Sequence, residues 1–89
     1  MPARPKILLV DDESSIVKVV GKRLEVEGFD VLVAMDGDAA LHKAQAEGPD
    51  LIILDLMLPK RNGYEVCRVL KHDSRYHHIP VVMFTAKAQ

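Results

Sequence analysis

Four short runs of unbroken apolar residues punctuate the chain: Ile7–Val10, Val31–Ala34, Leu51–Leu54 and Val81–Phe84. None alternates apolar with polar positions. Runs of this length, bounded by turn residues, fit strands covered on both faces, as in parallel sheets. Between them the spacing is helical. Ser14–Glu27 sets Ile16, Val17, Val20 and Leu24 on one helical face, and Gly28 follows as a stop. Asp38–Glu47 does the same with Ala40, Leu41 and Ala44 before Gly48-Pro49, and Tyr64–His72 with Val66, Val69 and Leu70. The resulting order is βαβαβαβ. Single helices between strands predict right-handed crossovers and a parallel sheet.

That layout gives the strand ends a meaning. In open parallel sheets, ligands bind beyond the carboxyl ends of the strands. Asp11 and Asp12 follow the first run, Asp55 the third and Thr85 the fourth. With strands one and three as neighbours, three carboxylates and a hydroxyl gather on one rim. Carboxylates so placed repel one another unless a cation lies among them. An all-oxygen donor set suits Mg²⁺ or Mn²⁺, and Mg²⁺ keeps coordination positions for water and a phosphate oxygen. A carboxylate beside such an ion is also a nucleophile toward phosphorus. This chemistry gives a reason for Asp55 to end one of the most apolar segments of the chain, where a charge is otherwise costly.

Composition narrows the class. The 89 residues suffice for a single domain spanning 1–89. They are 48% hydrophobic and 28% charged, a globular balance. A net charge of −1 offers no basic excess for nucleic acid or an anionic membrane surface. No apolar run approaches the roughly 20 residues of a membrane span. With Cys67 as its single cysteine the chain forms no internal disulfide, which fits a reducing cytoplasm.

The segments ILLVDDE, LIILDLMLPKRNGYE and IPVVMFTA, in that order and spacing, resemble the receiver domain of two-component response regulators. The resemblance implies a flavodoxin-like parallel sheet, here in strand order 2-1-3-4 with flanking helices. It implies that Asp55 is the phosphoacceptor, charged by a phosphohistidine on a sensor histidine kinase, in a signalling domain rather than an enzyme. Asp12 then matches the direct Mg²⁺ ligand and Asp11 the one acting partly through water, with the Met57 backbone carbonyl as a further ligand. Thr85 matches the hydroxyl that engages the phosphoryl group, and Ala86 the small residue whose backbone N–H lies near it. Leu58-Pro59 and Gly63 match the turn after the phosphoacceptor strand, where glycine permits a left-handed backbone. Family members continue through a fourth helix, a fifth strand carrying a phosphate-binding lysine, and a fifth helix, which this chain lacks. Lys87 is not that lysine. The expected consequences are weakened phosphotransfer and self-association, as a two-fold dimer or higher oligomer, through an exposed fourth strand. The parent protein is expected to carry an output domain.

Rival readings have specific signatures. A metal-dependent phosphatase of the haloacid dehalogenase type needs a second acid two residues after the nucleophile, and Met57 occupies that position. Neither G-x-x-x-x-G-K-[ST] nor G-x-G-x-x-G is present for nucleotide binding. A receiver fragment that assembles without signalling would carry the same sequence. His77-His78 reads as solvated loop, His42 and His72 as helix surface, Cys67 as packing, Lys60-Arg61 as a solvated turn, and Met35, Met57 and Met83 as core or rim fillers.

Overall fold

The computed structural model describes residues 4–85. Strands β1 (Lys6–Val10), β2 (Asp30–Ala34), β3 (Leu51–Asp55) and β4 (Val81–Phe84) alternate with helices α1 (Ser14–Val26), α2 (Gly37–Glu47) and α3 (Gly63–Lys71). All pairings are parallel and the order is β2-β1-β3-β4. The predicted element order and strand order are therefore both observed.

Side-chain alternation divides the sheet into two faces. Leu8, Val10, Ile52 and Leu54 form the main core with Ala40 and Ala44 of α2 and Val66 and Leu70 of α3. The small α2 side chains let that helix lie close to the sheet. The opposite face presents Ile7 and Leu9, both buried. There Gly21 of α1 is buried, and a Cβ at that position would lie 3.8 Å from Val31 Cγ1 and 3.9 Å from Leu9 Cδ2. Val17, Val20, Ile16 and Leu24 are half-buried, as their spacing predicts, whereas Val19 and Val26 face solvent.

Three expectations need correction. Coverage on both faces holds for β1 and most of β3 but not for β2 at one sheet edge, while β4 at the other edge is exposed as expected. On β4, Val82 is 52% exposed and Met83 is also exposed. Val69 points outward, and Cys67 takes its place against the core. Met35, Met57 and Met83 are exposed and fill no core.

The helix ends follow local chemistry. Asp36 caps α2 by accepting the Ala39 N–H at 2.8 Å, and Gly48 closes it in the left-handed conformation (φ 58°). Asn62 and Glu65 form a reciprocal capping box at the start of α3. At its end Lys71 Nζ donates to the carbonyls of His77 (3.1 Å) and Ile79 (2.7 Å), fastening the loop that leads into β4.

Candidate functional site

The pairing of Val10 with Leu54 sets the ends of β1 and β3 side by side. Asp11 and Asp55 extend from those ends, and both are 0% exposed; Asp12, one residue on, is exposed. One carboxylate oxygen from each of the three lies within 4.8 Å of the others. The expected convergence of the three acids is thus present. Asp55 pairs with Phe84 in β4, so Thr85 follows at the same rim and is exposed. Ala86 and Lys87 lie outside the described residues.

Backbone donors orient two of the carboxylates. Asp11 Oδ1 accepts the Glu13 N–H at 2.9 Å on the approach to α1, whose N-cap has no side-chain bond of its own. Asp55 Oδ1 accepts the Met57 N–H at 3.1 Å. Three anionic oxygen donors at this separation, two of them buried, form a donor set suited to a hard divalent cation and poorly suited to a soft one.

The loop from β3 to α3 carries more structure than its sequence suggests. Leu56 N–H donates to Phe84 O (2.8 Å), and Gly63 N–H closes the loop base on Leu56 O (3.0 Å). Gly63 does not supply the expected left-handed backbone; the non-glycine residue with positive φ is Lys60, at 67°. Gly63 is needed for proximity: a Cβ there would lie 2.6 Å from the Asp55 carbonyl oxygen and 2.9 Å from Leu56 Cα. Arg61 N–H donates to Pro59 O at 2.8 Å across Lys60, the pattern of a γ-turn. Such a conformation costs a non-glycine residue about 1–3 kcal/mol and persists only where its surroundings hold it.

Those surroundings are the β2–α2 turn. Arg61 Nε pairs with Asp38 Oδ1 at 2.9 Å and Lys60 Nζ with Asp36 Oδ2 at 3.6 Å. The Ala39 N–H, and secondarily Lys60, hold the Asp36 carboxyl below the usual carboxylate range. Lys60-Arg61 is thus the exposed turn expected, with both side chains also held in ion pairs. Sequence reasoning missed Gly37 and the capping box. The Asn62-x-x-Glu65 spacing was a legible signal for the second; nothing local signals the first.

A parallel sheet in the order β2-β1-β3-β4 with helices on both faces and acids at its carboxyl rim defines the flavodoxin-like α/β class. Residues 7–89 match the response regulator receiver domain, and the chain belongs to that family. It is 52% identical over 82 residues to the alkaline phosphatase synthesis transcriptional regulatory protein PhoP of Bacillus subtilis, covering 92% of this chain and 33% of that protein. It is 49% identical over 84 residues to the DNA-binding response regulator MtrA of Mycobacterium tuberculosis, covering 94% and 36% respectively. The chemotaxis response regulator CheY4 of Vibrio cholerae superimposes with a TM-score of 0.89 at 36% identity, covering 97% of this chain and 72% of that one. The chain spans about a third of the length of the curated relatives it matches.

Proposed function

We propose that Asp55 accepts a phosphoryl group from a phosphohistidine of a sensor histidine kinase, with Mg²⁺ or Mn²⁺ held by Asp11, Asp12, Asp55 and the Met57 carbonyl. The observation that carries this reading is the gathering of three carboxylates at the β1–β3 rim, with Asp11 and Asp55 fully buried. A bound divalent ion neutralises charge on phosphoryl oxygens. An Asp55 carboxylate oxygen forms the new P–O bond as the P–N bond breaks, and the electron pair leaves with the imidazole. The Met57 N–H fixes the carboxylate plane for that attack. Thr85 offers a hydroxyl donor at the same rim. Met57 itself moves no proton, so the residues support acceptance of phosphate and at most slow self-dephosphorylation. PhoP is named as a transcriptional regulatory protein and MtrA as a DNA-binding response regulator. By analogy the parent of this chain passes the signal to an output domain in the cytoplasm, and the receiver itself contacts neither nucleic acid nor membrane.

Incubation with acetyl phosphate and Mg²⁺ should add one phosphoryl group by intact mass, and Asp55→Asn should add none. Equal labelling of Asp55→Asn would overturn the assignment.

The exposed side chains of β4 favour a second reading, self-association without signalling. An edge strand with Val82 and Met83 exposed is a template for a second copy, related by a two-fold axis. Light scattering is expected to show the mass rising to that of a dimer with concentration, independent of Mg²⁺. A monomer throughout would exclude this reading.

A further inference from the structure

Residues 56–58 lie between two anchors. The first is at the loop base, where Leu56 is bonded to Phe84 and Gly63 to Leu56. The second is at the tip, where the β2–α2 turn grips Pro59–Arg61. Three contacts make that grip. Gly37 N–H reaches Pro59 O at 3.4 Å, Asp38 pairs with Arg61, and Asp36 pairs with Lys60. Gly37 and the Arg61 backbone approach so closely that a Cβ on Gly37 would overlap the Arg61 carbonyl oxygen and Cβ, and would stand 3.0 Å from the Arg61 carbonyl carbon. The obstacle is backbone, which cannot swing aside as a flexible side-chain end can. Gly37 has no left-handed φ to explain its identity, so close approach is its structural reason. The gripped turn is also the strained one, with Lys60 at φ 67°.

We propose that Asp36, Gly37 and Asp38 form a positioning clamp that holds the Pro59–Arg61 turn, and through it Met57, in register with the aspartates. The inference rests on the cation site proposed above. None of the three belongs to the aspartate cluster; they act through the loop, as outer groups commonly orient inner ligands. The ion pairs are exposed and each is weak alone. The steric fit at Gly37 is the larger contribution, and the charges select the loop position that the fit allows.

The test uses the 89-residue chain with two readouts: the Mg²⁺ dissociation constant by calorimetry, and amide resonances of the metal-free protein. Gly37→Ala is expected to weaken Mg²⁺ binding roughly tenfold. It is also expected to shift the Met57 and Leu58 amides without metal, while those of Leu8 and Leu9 stay in place. If Gly37→Ala does not fold, Asp38→Arg carries the test. That exposed change is expected to weaken binding roughly two- to fivefold, and adding Arg61→Asp is expected to restore it. Wild-type Mg²⁺ affinity in a folded Gly37→Ala chain overturns the clamp, as does an Asp38→Arg defect that Arg61→Asp leaves unrepaired. A wild-type chain that takes up no Mg²⁺ overturns the cation site itself, and is told apart from failure of the clamp because there the wild type binds.

Discussion

Leu54→Ala is expected to destabilise the domain by about 3–4 kcal/mol, within the range for deleting a buried leucine side chain. Leu54 is fully buried on the sheet face covered by α2 and α3, in one core cluster with Ala40, Ala44, Val66 and Leu70. An 89-residue domain has roughly 5–10 kcal/mol of stability in all, so the loss is a large fraction of it. The melting temperature should fall by more than about 10 °C. Ile53, the preceding residue, is half-buried and lies on the opposite sheet face. Ile53→Ala should cost only about 1–2 kcal/mol. Urea titration of the two variants decides the matter: a lower midpoint for Leu54→Ala with unchanged slope is expected, and equal midpoints would mean that the α2–α3 face is not the dominant core.

The contrast between Leu54 and Ile53 shows what the sequence could and could not reveal. LIIL identified a strand, because a short unbroken apolar run bounded by turn residues suits a parallel sheet. It could not say which face carries the larger core, because that depends on helices contributed by distant segments. The same limit explains the edge strands. VLVA and VVMF are as apolar as the central runs, yet Val82 and Met83 are exposed because position in the sheet, not composition, sets their coverage. The aspartate cluster was legible because chain order, strand polarity and crossover handedness together put Asp11, Asp12 and Asp55 on one rim. Gly37 and Lys60 were not. In sequence Gly37 is an ordinary residue beside a helix start and Lys60 an ordinary loop lysine. Their roles exist only once the β2–α2 and β3–α3 loops meet.

The second large effect comes from the charge that the site concentrates. Asp55→Asn is expected to raise the stability of the metal-free domain by about 1–2 kcal/mol and to abolish most of the stabilisation that Mg²⁺ confers. Asp11 and Asp55 are both fully buried, and their oxygens lie within 4.8 Å of each other and of Asp12. Two unit charges at that separation repel by roughly 3 kcal/mol at an effective dielectric constant of about 20. Salt and the solvent around Asp12 reduce the net effect. Asparagine keeps the shape of the side chain and an oxygen that can accept the Met57 N–H, while removing the charge. A ligand that binds only the folded state stabilises it by about 2.7 kcal/mol at a hundred times its dissociation constant. Wild-type protein should therefore gain stability with Mg²⁺ and Asp55→Asn should gain little. The curves of stability against Mg²⁺ should cross, with the variant ahead in chelator and the wild type ahead at saturating metal. Parallel curves would mean that the three acids do not act together in cation binding. A crossing means that the fold tolerates instability at its rim because the same carboxylates hold the ion, as expected where a site is organised for chemistry rather than for packing.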